Sequence, residues 1–264
     1  MATFKELTHN RRLKVGTYIG EFATSGLGQI LKASGTQYVL LDMEHSGFSF
    51  ETVKGLLRNL HDAGIATLLR PPSKETHHVA RACDVGGQGI LLPMLGSAAE
   101  AQAGINAINY PPVGTRGCAF AIAHDDYQPQ PVMDAINAAN DKTCLVPLIE
   151  TVDGVENCEA IVAVPGVDAI WLGHFDLSAS LGIPGEFDNP LFVEAVAHIM
   201  ASANKAEVSV GRIAGSGADA KVLFDQGCDF ICYLGDIWVF QKALKEGYQS
   251  IADQIGENAE AGKG

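Results

Sequence analysis

Asp42, Glu44 and His45 fall within four residues, at the end of the apolar run in LLDMEHSGF. Three other short apolar runs end in a similar way. ATLLR delivers Arg70, LVPLIE delivers Glu150, and AIWLGHFD delivers Asp176. Two carboxylates from neighbouring runs can share one hard cation. Water and substrate oxygens would complete its shell, which suits Mg2+ or Mn2+ better than Zn2+. A histidine beside such an ion can move protons near neutral pH. An arginine offers a planar fork to a developing anion. A single charged residue at such a position is usually just solvated, but four runs ending this way point to one site. No lysine stands at the end of any run, which argues against Schiff-base chemistry.

The elements that must position these residues follow a strand–helix rhythm. Apolar, β-branched runs occur at 14–19, 37–43, 65–69, 88–92, 144–149, 167–172, 207–213 and 228–234. Helical spacing appears between them. Val53, Leu56, Leu57 and Leu60 form one stripe, and Phe192, Val196, Ile199 and Met200 another. The Ala-rich segment 98–109 is a strong helix former. Eight strands alternating with helices predict a closed (β/α)8 TIM barrel. An open doubly wound sheet would carry a GxGxxG loop after its first strand, and none is present. Barrel active sites gather where the strands end. Period-two alternation turns Leu40, Asp42 and Glu44 to one side there. With no linker and no charge shift, residues 1–264 are expected to be one domain. The irregular stretch 110–132 is long enough to be functional or an interface.

The net charge is −13, from 18 basic and 31 acidic residues. That balance excludes nucleic acid and anionic membrane surfaces as partners. The six cysteines include no CxxC pair and lie in apolar runs, so buried, reduced thiols and a cytoplasmic location are expected. The N-terminus lacks an apolar h-region. The tail GENAEAGKG is expected to be polar and frayed.

LLDMEHSGFSFE, LLRPPS, YPPVGTRG, IETVDGVEN and VDAIWLGHFDLSASLG together resemble the HpcH/HpaI aldolase family, over about residues 14–245. The resemblance implies a barrel of the phosphoenolpyruvate/pyruvate type and a class II pyruvate aldolase, a metal-dependent carbon–carbon lyase. Its substrates would be a small 2-oxo acid and an aldehyde. It assigns the metal to Glu150 and Asp176, with Mg2+ or Mn2+ expected and Co2+ or Zn2+ able to substitute in vitro. His45 becomes the acid/base, Asp84 the carboxylate that orients it, and Arg70 the group that holds the oxo acid. The backbone at Gly173, His174, Phe175 and Asp176 would cup the substrate carboxylate. A homohexamer is implied, with the C-terminal helix in its contacts. The chain departs from the pattern at His174 and Phe175, where GHFDLS replaces GPxDLS, and at Leu148, where Gln is usual. Oxaloacetate decarboxylation is the alternative on the same site. A non-catalytic scaffold would predict decay of the polar rim. Arg116 is expected to reach an adjacent subunit, and Arg212 to bind an acidic acceptor or neutralise nearby carboxylates.

Overall fold

A computed structural model describes residues 2–255 of the chain, so the tail GENAEAGKG lies outside the described residues. Eight strands run parallel and close into a barrel in chain order. They are β1 (Lys14–Ile19), β2 (Tyr38–Asp42), β3 (Ala66–Arg70), β4 (Gly89–Leu92), β5 (Cys144–Ile149), β6 (Ala169–Leu172), β7 (Ser209–Ala214) and β8 (Phe230–Gly235). All eight lie where the apolar runs predict them. Three start two residues late. Val167, for example, pairs with Leu145 only as an isolated bridge before β6 begins.

The helices are α1 (Phe4–Thr8), α2 (Leu27–Ala33), α3 (Phe50–Ala63), α4 (Thr76–Asp84), α5 (Ala98–Ile108), α6 (Val132–Lys142), α7 (Val152–Glu156), α8 (Cys158–Val162), α9 (His174–Ser180), α10 (Pro190–Lys205), α11 (Gly217–Asp225) and α12 (Asp236–Ile255). Local chemistry sets their ends. Ser49 accepts from the Thr52 amide at 3.1 Å and starts α3. Gly64, at φ 83°, stops it in the left-handed region. The predicted stripes on α3 and α10 are buried. No helix among the described residues is long and apolar enough to cross a membrane. Five cysteines are buried as expected, but Cys118 is exposed, because the loop that carries it runs over the surface.

Strand periodicity divides the core. Leu40, Leu68, Val146, Leu148 and Trp171 point into the barrel, while Leu41, Leu69, Ile149, Ile170 and Leu172 pack outward under the helices. The N-terminal end of the barrel is closed. Phe4 of α1 lies against Phe230 and Tyr38, with ring centroids 4.9 and 5.9 Å apart. Beside them Asp229 is paired with Lys14 at 2.9 Å and Arg11 at 3.2 Å, and it accepts from Ser209 at 2.8 Å.

Candidate active site

The inward rows of the barrel change character at their last position. Tyr38 and Leu40 lead to Asp42, Ala66 and Leu68 to Arg70, and Val146 and Leu148 to Glu150. Period two therefore turns three charged side chains toward one mouth at the C-terminal ends of β2, β3 and β5. Asp42 and Arg70 are register partners across β2 and β3. The Arg70 Nε and Nη2 groups donate to the two Asp42 oxygens at 2.7 and 2.9 Å, a fork-to-carboxylate pair. Asp42 also accepts from the Tyr18 hydroxyl at 2.8 Å and from the amides of Glu44 and His45 at 3.0 and 3.1 Å. Burial alone would raise the Asp42 carboxyl, but the bonds and charge of Arg70 outweigh it and hold the pKa below the usual range. Asp42 thus braces Arg70 and the loop that carries His45.

Arg70 Nη1 also lies 3.1 Å from Glu44 Oε2. Burial pushes the Glu44 carboxyl up, against the pull of Arg70. His45 Nε2 sits 3.8 Å from the same Glu44 oxygen, and its side chain is 64% exposed. The histidine therefore faces solvent at the rim.

Glu150 is buried at the end of β5. Its Oε1 accepts from the Met94 amide at 2.8 Å, and no described hydrogen bond reaches Oε2. Gly173, the next inward position after Trp171, makes room for it. A Cβ at 173 would stand 2.5 Å from Glu150 Oε2. Burial lifts the Glu150 carboxyl to about 7. The Met94 amide opposes the rise, and the charges of Asp176 and Glu44 add to it. Asp176 is exposed in the first turn of α9. Among the described residues no group of three His, Cys, Asp or Glu side chains forms a ready-made metal cage. The donor set still fits a divalent cation with a largely non-protein shell. It offers a buried carboxylate with one oxygen unclaimed and two more carboxylates acting on it. Lys74, on the β3–α4 connection, is engaged with Glu100 and the Met94 carbonyl.

Within this chain no described contact joins Asp84 to His45. Asp84 ends α4, and its Oδ1 accepts from Arg116 Nη2 at 2.6 Å. Arg116 is itself buried, with its guanidinium 4.4 Å from the Tyr110 ring centroid, so within this chain it is spent internally. The Gly173 amide is also taken, by the Ile149 carbonyl at 3.1 Å, leaving only 174–176 to offer backbone N–H groups at the start of α9. His174 stacks between Phe175 and Phe187, at 4.4 and 5.3 Å, and burial lowers its pKa to about 4, helped by Arg212. Phe175 is 66% exposed on the rim. Arg212 faces the helix layer, with its guanidinium 5.8 Å from the Phe192 ring centroid. Sequence reasoning missed Tyr18, Asp236 and the Met94 amide. Asp236 gathers the amides of Gly20, Glu21 and Phe22 and ties β1 to α12. Tyr18 was legible as an inward aromatic beside Gly16; the backbone donor carried no sequence signal.

A groove of about 590 Å3 between the β1–α2 connection and α3, lined by Thr24, Glu51, Arg58 and Asn59, shares none of these residues. Residues 21–235 match the HpcH/HpaI aldolase/citrate lyase family. The chain belongs to that family. This HpcH/HpaI enzyme is 28% identical to a hydroxypyruvate/pyruvate aldolase of Pseudomonas aeruginosa, over 92% of this chain and 90% of the relative. It is 31% identical to a 5-keto-4-deoxy-D-glucarate aldolase of Klebsiella pneumoniae, over 83% and 84%. An HpcH/HpaI aldolase from Desulfitobacterium hafniense superposes with a TM-score of 0.88 at 27% identity, covering 95% of this chain and 97% of the other.

Proposed function

We propose that this family member is a class II pyruvate aldolase that makes and breaks the C3–C4 bond of 4-hydroxy-2-oxo acids. Glu150 and Asp176 would hold a divalent cation, Mg2+ or Mn2+. Pyruvate or hydroxypyruvate and an aldehyde would be the partners in the reaction, as the name of the Pseudomonas relative suggests for the oxo acid. One observation carries the reading. The Glu150 carboxyl is buried and lifted to about 7, with two further carboxylates acting on it and one of its oxygens unclaimed. A bound cation there supplies Lewis-acid polarisation of the 2-oxo group, which acidifies C3.

The remaining work falls to the side chains. Arg70, locked in plane by Asp42, keeps a fixed positive charge beside the 2-oxo oxygen and needs little reorganisation as negative charge develops. His45 moves the proton to or from the 4-hydroxyl. Its place on the exposed rim suits a group that meets an acceptor entering from solvent. The backbone N–H groups of 174–176 orient the oxo-acid carboxylate. Asp84, whose Oδ1 holds Arg116 within this chain, would orient His45 across a subunit contact.

Residues 1–264 act as one barrel domain in a cytoplasmic homohexamer. The exposed Trp238, Phe240, Tyr248 and Ile251 of α12 are a surface that a second copy would cover. Neither nucleic acid nor membrane is a partner. The test is deuterium exchange at C3 of pyruvate, followed by NMR with Mg2+ and with a chelator, then repeated with aldehydes. Metal-dependent exchange and aldehyde-dependent turnover are expected. Oxaloacetate losing CO2 at the faster rate, with no exchange from pyruvate, would replace this reading with decarboxylation.

A further inference from the structure

The segment after β4 holds a backbone conformation that its side chains do not explain. Met94 has φ 53°, a left-handed value that a residue with a Cβ adopts at a cost. Its side chain is exposed and fills no cavity. Its peptide groups do have partners. The N–H donates to Glu150 Oε1 at 2.8 Å, and the carbonyl accepts from Lys74 Nζ at 3.1 Å. Lys74 is also paired with Glu100. The other Glu100 oxygen accepts from the Gly96 amide at 2.8 Å, and Asn157 donates to the Gly96 carbonyl at 2.9 Å. Three side chains from three separate segments therefore hold residues 94–96. The result is one amide aimed at one carboxylate oxygen. Glu150 Oε1 is pinned, and Oε2 is left on the Gly173 side for an incoming ligand.

We propose that Lys74, together with Glu100, is a positioning residue that holds Met94 left-handed so that its amide orients Glu150 for a divalent cation. The last clause rests on Glu150 being a cation ligand, so the clamp and its consequence are measured separately. The sign of the effect distinguishes a clamp from a bystander charge. If Lys74 were only a nearby positive charge, removing it would tighten cation binding, because like charges repel. A clamp predicts weaker binding.

The experiment uses the full chain as wild type, Lys74→Met, Lys74→Arg and the double variant Lys74→Met/Met94→Gly. Hydrogen–deuterium exchange of the 90–98 segment is read on metal-free protein by mass spectrometry. Lys74→Met is expected to speed exchange of the Met94 amide about tenfold, because the local opening becomes easier. Mn2+ binding, read by electron paramagnetic resonance, is expected to weaken about tenfold in the same variant. Lys74→Arg keeps reach and charge and should stay near wild type in both readouts. Glycine adopts positive φ without penalty, so the double variant should recover most of the lost Mn2+ affinity. A melting temperature close to wild type is expected, since Lys74 is exposed. Unchanged exchange in Lys74→Met, or tighter Mn2+ binding, overturns the clamp. Wild-type protein that binds no Mn2+ overturns Glu150 as a cation ligand, and the exchange result then decides the clamp alone.

Discussion

Each end of the barrel buries an aspartate against a cation, yet the two ends are balanced differently. At the closed end Asp229 is met by both Lys14 and Arg11, with Ser209 and the Val210 amide completing its bonds. At the open end Arg70 faces Asp42 and Glu44, with Glu150 and Asp176 close by. One end has a surplus of positive charge and a lid of aromatic rings. The other has four carboxylates around one guanidinium. A buried carboxylate without a matching cation costs stability unless something else supplies the charge. The contrast is what would separate a structural ion pair from the cation site proposed above.

The largest expected effect is at the open end. Glu150→Ala should lower metal-dependent turnover on the order of 10^3-fold, the loss of several kcal/mol of electrostatic stabilisation, while the far-ultraviolet circular dichroism stays that of the wild type. Unfolding of this variant would make Glu150 a structural group like Asp229. Next comes the closed end. Asp229→Asn should cost about 3 kcal/mol in denaturant unfolding, because two cations lose their buried partner. Its kcat/KM should stay within about twofold, as expected for a site remote from the chemistry. A collapse of kcat/KM in a folded Asp229→Asn protein would erase the distinction between the two ends.

His45→Ala should slow aldol cleavage about 10^2-fold while Mn2+ affinity is kept, since a lone acid/base contributes at that scale. Full aldolase rates in this variant would remove His45 from the mechanism.

The smallest effect is in pH dependence. The folded Glu150 carboxyl, lifted to about 7 from its ordinary 4.5, binds a proton that the unfolded chain has already lost. Its stabilising contribution is complete below about pH 4.5 and is lost as pH rises through about 7. The stability of metal-free wild type relative to Glu150→Gln should therefore fall by about 2 kcal/mol between pH 5 and 8. Saturating Mg2+ should flatten that slope, whereas a slope indifferent to Mg2+ would mean that the ion binds elsewhere.

Much of this was legible in the sequence, because barrels repeat a simple rule. Period two along 37–43, 65–69 and 144–149 fixes which residues point inward, and the first polar inward residue marks the mouth. Asp42, Arg70 and Glu150 follow from that rule alone. What stayed hidden depends on contacts between distant segments. The sequence shows an aspartate at 84 and an arginine at 116, but their pairing depends on how the 110–126 loop folds back over α4. The Met94 amide was invisible for a different reason. It is a backbone group, present at every residue but proline, and its aim comes from a positive φ at a residue whose type gives no warning.

The ring of Phe4 against Phe230 and Tyr38 makes the barrel a cul-de-sac. Whatever enters must leave through the opening it came by. A keto acid held, as proposed, between Glu150 and Arg70 with an aldehyde above it near His45 would depart in last-in, first-out order. Cleavage would then release the aldehyde before the keto acid, and synthesis would need the keto acid to arrive first. The packed interior behind the site, and not only its far cap, would set the order of traffic.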